Sequence, residues 1–294
     1  MFTMLLYTKD IKKEFNDFLQ DQLFKTCDLT YKIALKNCKG SYLSGDDTCS
    51  WYHSVWQYLR LLDKVSSPTW HFDFYFKEFN STINDNSKIL ISGTADYSLL
   101  ALIHFVALKK KVKPSIWVND ICSTPLMICE YFAKIHNFDI NIFQGNILLN
   151  DSKEKFDIIT SDAFLTRFSF SEKKTVLEKW RFLLNPNGKI ITTLRIEKII
   201  KQDEKIINVD KVEVFTKEIE KPIIKSKLPF KIIKLKKLAG NYIKKMVSTP
   251  FISINEVRKI FFMNKLNIIF ENQNLVKGEL KPTKYYQIVA QKYA

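Results

Sequence analysis

The sequence predicts an α/β fold, a mostly parallel, seven-stranded sheet with helices on both faces, preceded by a helical segment. Short apolar runs alternate with helical segments between about residues 87 and 195. Two further apolar runs follow near the end of the chain, at 266–270 and 285–290, whereas the first 86 residues show helical patterns only. Strands that alternate with helices in this way form right-handed βαβ units and a parallel sheet.

The N-terminal region, residues 1–86, is predicted to be a helical cap. In Asp10–Phe24 apolar residues recur at helical spacing, and Trp51–Val65 carries a second amphipathic pattern. The aromatic-rich segment Trp70–Phe79 is also predicted to be helical. The polar stretch Asn80–Ser87 marks the expected boundary with an α/β domain at 87–294.

The α/β domain is predicted to begin with five strands, Lys88–Ser92, Ser115–Asn119, Asp139–Phe143, Phe156–Thr160 and Lys189–Leu194. Helices are predicted at Asp96–Leu108, Pro125–His136 and Glu172–Leu184. The strong turn signal Asn185–Gly188 precedes the fifth strand. Residues 196–248 break the pattern with 14 lysines and 7 acidic residues, which predicts a basic insertion. A helix at Ser253–Leu266 and the last two strands complete the fold.

The formal charge of +15 is concentrated in the C-terminal third of the chain. Residues 196–294 carry 21 basic and 10 acidic side chains. Such a field attracts anionic partners, including nucleic acid, phosphorylated metabolites and anionic membrane surfaces. A solvated lysine-rich surface gives the same composition and is the interpretation we favour, so nucleic-acid binding is possible but not favoured.

The five cysteines indicate a reduced, cytoplasmic protein, because their number is odd and no CxxC pair occurs. No apolar run approaches the roughly 20 residues that a membrane span requires. Cys27, Cys38 and Cys49 are evenly spaced at eleven residues. A closed zinc site needs a fourth ligand at matching range, and none is evident, so no metal is expected.

Candidate site residues lie directly after the predicted strands, where parallel sheets bind their ligands. Gly93 follows the first strand and allows a sharp turn before a helix N-terminus. It is a single glycine where a dinucleotide fingerprint has three, and Asp96 adds a negative charge. The loop therefore favours a cationic or zwitterionic ligand over a pyrophosphate.

The next three strand ends each carry a polar residue. Asp120 follows the second strand, and an acid there can bind both hydroxyls of a ribose. Asn146 and Ile147 follow the third strand, where a carboxamide can recognise the edge of an adenine ring and an apolar side chain can cover its face. Asp162 and Phe164 follow the fourth strand and would border the reacting group.

This order of residues resembles the class I S-adenosylmethionine-dependent methyltransferases, which have a Rossmann-like fold. The resemblance covers about residues 86–195, with the final pair of strands as the expected end of the fold. It implies S-adenosyl-L-methionine as cofactor. The residues that it implies for cofactor binding are Gly93, Thr94, Ala95, Asp96, Asp120, Ile121, Asn146, Ile147, Asp162 and Phe164. The turn at Asn185–Gly188 resembles the family's turn before the fifth strand, with both glycine positions altered.

The implied reaction is in-line displacement of a methyl group, which chiefly requires alignment of the nucleophile. The acceptor is predicted to be a small molecule held between the N-terminal helices and the loop after the fourth strand. One helical face, opposite an apolar face, carries four residues at positions i, i+3, i+4 and i+7, namely His53, Trp56, Gln57 and Arg60. With Tyr52, this face is predicted to bind an acidic or aromatic acceptor, with His53 as general base and Asp162 as a second catalytic residue. Helix packing explains the same pattern without a substrate.

Two other functions remain open at this point. The basic C-terminal third would suit an RNA or protein methyltransferase. The altered first loop would suit a non-catalytic protein that binds a nucleoside or a partner. The sequence does not predict the oligomeric state.

Overall fold

The computed structural model describes residues 2–38, 48–65, 68–197, 209–221, 224, 231–278 and 281–293. Within these ranges seven strands form one sheet in the order β3-β2-β1-β4-β5-β7-β6. The strands are β1 Lys88–Ser92, β2 Ser115–Asp120, β3 Asn141–Gln144, β4 Phe156–Asp162, β5 Leu184–Ile196, β6 Leu266–Val276 and β7 Thr283–Lys292. β1 to β5 are parallel, and β7 runs antiparallel to both β5 and β6. The predicted fold class is confirmed.

The helices of the first part of the chain are α1 Phe2–Asn37, α2 Ser50–Leu61, α3 Phe72–Thr82, α4 Ser98–Lys110, α5 Ser123–Ile135 and α6 Phe170–Leu183. Those of the second part are α7 Val209–Glu218, α8 Ile232–Lys245 and α9 Ile254–Met263. Parts of the predicted insertion, residues 198–208, 222–223 and 225–230, lie outside the described residues. None of the described helices is both long enough and apolar enough to cross a membrane.

The two faces of the sheet carry two hydrophobic cores. Because successive strand residues point to opposite faces, Ile89 and Ile91 belong to one core and Leu90 belongs to the other. Side chains of α1, α3, α4 and α5 fill the first core. In it, the ring of Phe15 from α1 stacks on Phe72 of α3 at 5.4 Å between centroids. The helical N-terminal region therefore shares a core with the sheet.

A third hydrophobic cluster joins the insertion to the N-terminal region. Val55, Tyr58 and Leu59 of α2 pack with Leu235 and Tyr242 of α8, and all five side chains are buried. Helix α7 packs on the same cluster. The basic insertion thus packs α8 against α2 and α7 against α8, and the lysines of both helices are mainly exposed.

The turn at Asn185–Gly188 forms an irregularity inside β5 rather than preceding it. β5 already pairs with Phe156 of β4 through Leu184, and the regular register resumes at Ile158 opposite Lys189. The residues between Leu184 and Lys189 form the irregularity, in which Asn187 has a φ of 64°. This is a left-handed conformation that asparagine tolerates well. The sequence signal for a turn was real, but strand pairing continues on both sides of it.

Candidate functional site

A cavity of about 540 Å³ opens at the carboxyl ends of the parallel strands. Four consecutive strand-end segments line it: Gly93–Asp96, Asn119–Cys122, Gly145–Leu148 and Asp162–Phe164. All ten residues predicted to bind the cofactor lie in these segments. The sheet topology explains this convergence, since parallel strands deliver their carboxyl ends to one edge.

Gly93 makes the first turn of the site possible. Its φ is +74°, and its N–H donates to the carbonyl of Asn119 at 2.8 Å. A Cβ at this position would lie 2.2 Å from Cε2 of the Phe164 ring. Both the backbone conformation and the contact with Phe164 therefore require glycine.

Asp120 ends β2 at the edge of the cavity with both carboxylate oxygens fixed. Oδ2 accepts from the Thr94 N–H at 2.9 Å, and Oδ1 accepts from the Cys122 N–H at 2.8 Å. Burial raises the pKa of Asp120 to about 6, against the lowering effects of His53 and of these two N–H donors. The carboxylate is thereby locked in place beside the first loop.

Asp96 organises the first loop from within the protein. Its carboxylate accepts from Trp56 Nε1 at 2.9 Å and forms a close buried ion pair with Arg60. Its other oxygen accepts from the Ser98 N–H at 2.8 Å, at the start of α4. The charge expected to face a cationic ligand is therefore compensated by Arg60. The expectation that Arg60 contacts the acceptor is also corrected, because its side chain is 2% exposed and bound to Asp96.

The polar face of α2 is buried, because it packs on α1 and on the first loop and borders the cavity. Gln57 lies on the same face as the predicted site residues. Its side-chain oxygen accepts hydrogen bonds from the hydroxyl of Thr26 at 2.9 Å and from that of Thr30 at 2.7 Å. Tyr52 and Trp56 do line the cavity, and their rings stack at 4.9 Å between centroids. The sequence pattern did not predict that α1 packs over Gln57, because the two helices are about thirty residues apart in the chain.

His53 also borders the cavity, but it is only 7% exposed. Burial lowers the pKa of His53, whereas interactions with the Cys122 and Cys49 thiols raise it more, to about 10. Its Nδ1 is buried and has no hydrogen-bond partner among the described residues. The role of His53 as general base stays a prediction.

The loop after β4 is held by a buried hydroxyl network. Oδ1 of Asp162 accepts from Thr193 Oγ1 at 2.6 Å and from the Tyr75 hydroxyl at 3.2 Å. The same hydroxyl donates to the carbonyl of Ser161 at 2.7 Å. Burial and the charge of Asp162 raise the pKa of Tyr75 well above its ordinary value, so the phenol remains a donor. Helix α3 thus fixes the position of Asp162.

The overall arrangement matches solved structures of methyltransferases. An S-adenosylmethionine-dependent methyltransferase from Clostridium acetobutylicum aligns with a TM-score of 0.52 and 11% identity, covering 81% of this chain and 96% of that one. One from Methanosarcina mazei aligns with a TM-score of 0.50 and 15% identity, covering 73% and 96%. The N-methyltransferase NodS from Bradyrhizobium japonicum, solved with S-adenosyl-L-homocysteine, aligns with a TM-score of 0.50 and 11% identity, covering 90% and 99%.

The fold is that of the class I S-adenosylmethionine-dependent methyltransferases. No protein-family model matches the sequence, and no curated protein matches it either. The likeness at these identities concerns the methyltransferase fold alone.

Three parts of the cavity wall were missed by the sequence analysis. Arg167 stacks over the Tyr52 ring at 5.1 Å and donates to the carbonyl of Val247 at 2.8 Å. Tyr242 of α8 lies 5.8 Å from Tyr52 between ring centroids. The segment Met246–Thr249 closes the same side and is tied to the β4 loop, where the Thr249 N–H donates to Thr166 at 2.7 Å. The sequence analysis did not predict that Tyr242 lines the cavity, because the segment around it is rich in lysine and was interpreted only as a basic insertion.

Proposed function

We propose that the protein is an S-adenosylmethionine-dependent methyltransferase that acts on a small-molecule acceptor. The observation that carries the proposal is the position of Asp120, fixed at the end of β2 beside the Gly93 turn and open to the cavity. A carboxylate held in this way has lone pairs left for the two hydroxyls of a ribose.

The neighbouring strand end suits the adenine part of the cofactor. Ile147 offers an apolar surface at the cavity wall. The side-chain carbonyl of Asn146 accepts from the Leu148 N–H at 3.0 Å and caps the short 3₁₀ turn Ile147–Leu149. The amide group of Asn146 is left to donate to a ring nitrogen.

The first and fourth strand ends suit the methionine part. Gly93 lets the backbone approach a ligand closely, and the N-terminus of α4 follows it. Because Arg60 compensates Asp96, we assign the attraction for a sulfonium to the aromatic faces of Phe164 and Trp56 together with Asp162. When bound, S-adenosylmethionine supplies a methyl group on a sulfonium, which is a good leaving group.

The acceptor side lies between α2, the β4 loop and the insertion. Tyr52, Trp56 and Tyr242 form an aromatic wall, and Arg167 adds a cation beside it. A cavity of about 540 Å³ falls in the range of about 300–1,000 Å³ typical of small-molecule sites. These residues would align an aromatic or acidic acceptor with the methyl carbon, and alignment is the main contribution that the reaction needs. The proposal does not depend on a base at His53.

Ligand binding tests this proposal directly. Isothermal calorimetry on the wild-type protein should show binding of S-adenosylmethionine and S-adenosylhomocysteine and no binding of NAD. Transfer of a labelled methyl group to members of a panel of aromatic and acidic small molecules should then identify the acceptor. Binding of NAD without either adenosyl ligand would overturn the proposed cofactor.

A further inference from the structure

We propose that the thiols of Cys38, Cys49 and Cys122, together with the imidazole of His53, form a structural zinc site beside the cofactor cavity. This goes beyond the proposed function and does not rest on it. The three sulfurs are buried and come from three separate parts of the chain, and the buried imidazole of His53 lies one helical turn after Cys49.

The sulfur positions match those around a tetrahedral zinc ion. Cys122 Sγ lies 3.7 Å from Cys38 Sγ and 3.4 Å from Cys49 Sγ, and all three sulfurs lie within 4.8 Å of one another. Zinc–sulfur bonds of about 2.3 Å in a tetrahedron place the sulfurs about 3.8 Å apart. A disulfide requires about 2.05 Å, and all three cysteines are free.

We assign the fourth ligand to His53, whose ring nitrogens lie near the cluster but not within 4.8 Å of all three sulfurs, so coordination requires its side chain to turn towards them. His53 follows Cys49 by four residues on α2, so the two side chains lie on the same helical face. The imidazole interacts with the Cys49 and Cys122 thiols. Its buried Nδ1 lacks a hydrogen-bond partner among the described residues and would gain one by coordinating the ion.

Two of the cysteines occupy helix N-caps without acting as caps. Cys49 precedes α2 and Cys122 precedes α5, and neither side chain bonds to its helix. Serine, threonine, aspartate and asparagine are the usual residues there, because their oxygens accept from the first N–H groups. A helix N-terminus also stabilises a thiolate, which is the form that binds zinc.

The donor set indicates the kind of ion and its role. Three thiolates and one imidazole in a tetrahedron select zinc among the common divalent ions. Four protein ligands leave no open position, which is typical of a structural site. Binding releases the proton of each thiol to solvent, so the free energy of binding adds to that of folding.

The ion would connect the end of α1, the start of α2 and the turn between β2 and α5. Cys122 is central to this connection, because its N–H donates to Asp120 Oδ1 at 2.8 Å. A zinc ion bound to Cys122 would therefore also help to hold the Asp120 carboxylate in position. Zinc in this site acts on the cofactor cavity by positioning and takes no part in methyl transfer.

Elemental analysis of protein purified without chelators, and without any adenosyl ligand, tests the site. We expect about one zinc per chain. Cys38→Ala, Cys122→Ala and His53→Ala should lose it. Cys27→Ala, on α1, and Cys129→Ala, on α5, are matched controls at buried thiols outside the cluster and should retain it.

The wild-type protein alone keeps the proposal falsifiable if the variants fold poorly. Cobalt-substituted wild-type protein should show sulfur-to-metal charge-transfer absorption and the visible bands of a tetrahedral ion. A zinc-free wild-type protein with five reduced thiols, or with a disulfide seen as a mass lower by two hydrogens, would overturn the site. Zinc retained at full occupancy in Cys38→Ala or His53→Ala would overturn the ligand assignment. A zinc-free protein that binds S-adenosylhomocysteine would leave the proposed function intact.

Discussion

Arg60 and Asp96 form a buried ion pair that connects α2 to the first loop of the sheet. Their side chains are 2% and 3% exposed, and Trp56 donates to the same carboxylate oxygen at 2.9 Å. Asp96 also accepts from the Ser98 N–H at the start of α4. The loop contains a single glycine, Gly93. The network around Asp96 fixes the conformation of the rest of the loop.

The ion pair should contribute strongly to stability. Removal of one partner of a buried pair leaves an uncompensated charge and costs about 3–5 kcal/mol. Arg60→Ala should therefore lower the free energy of unfolding by about this amount in a urea titration. Lys25→Ala, which removes an exposed ion pair with Asp21, is the control and should cost less than about 1 kcal/mol. Equal losses in the two variants would show that the pair is not structurally important.

Gly93→Ala should weaken S-adenosylhomocysteine binding and destabilise the protein. The φ of +74° strains any side chain, and the new Cβ would collide with the Phe164 ring at 2.2 Å. Gly240→Ala in α8 is the control, because its Cβ would meet nothing closer than 3.5 Å. In a helix, alanine is favoured over glycine by about 1 kcal/mol, so this control should be neutral or stabilising. Calorimetry measures the affinity of the two variants for S-adenosylhomocysteine, and thermal unfolding measures their stability. A Gly93→Ala variant with wild-type affinity and stability would contradict the role of the turn.

The Tyr75 hydroxyl is expected to position Asp162. Tyr75→Phe removes its hydrogen bonds to Ser161 and Asp162 and should destabilise the fold by about 1 kcal/mol. Methyl transfer should fall more than stability alone explains, because the β4 loop loses its support. Tyr286→Phe removes an exposed hydroxyl bond to Gln273 and serves as control. Equal turnover in the two variants would argue against a positioning role for Tyr75.

The sequence was sufficient to predict the residues at the strand ends. Gly93 follows β1 directly, and Asp120 and Asp162 are the last residues of β2 and β4. Parallel topology brings such positions together. The sequence was insufficient for contacts between distant elements. The cover of Gln57 by α1 and the meeting of Cys38 with Cys122 depend on tertiary packing that periodicity does not report. Composition alone also did not predict that Tyr242 lines the cavity, because the insertion that contains it is rich in lysine.

The RNA methyltransferase alternative predicts a strong salt dependence that a small-molecule enzyme lacks. Nucleic-acid affinity falls steeply with salt because counterions are released from the phosphates. In filter binding across a salt series, we expect little RNA retained at about 0.15 M salt, the physiological ionic strength. S-adenosylhomocysteine affinity should change little over the same series. Tight RNA retention with a steep logarithmic slope would favour the alternative and would give the basic C-terminal third its role.

Calorimetry of S-adenosylhomocysteine binding to wild type, Asp120→Ala and Asp139→Ala tests the central claim most directly. Asp139 is an exposed carboxylate near the amino end of β3, so its variant matches the change of charge at the opposite edge of the sheet. Loss of a charge-assisted hydrogen bond costs about 1.5–3 kcal/mol, which corresponds to affinity weaker by about tenfold or more. We predict this loss in Asp120→Ala and wild-type affinity in Asp139→Ala. No binding to the wild-type protein, or equal affinity in all three proteins, would contradict the assignment of this cavity to the cofactor.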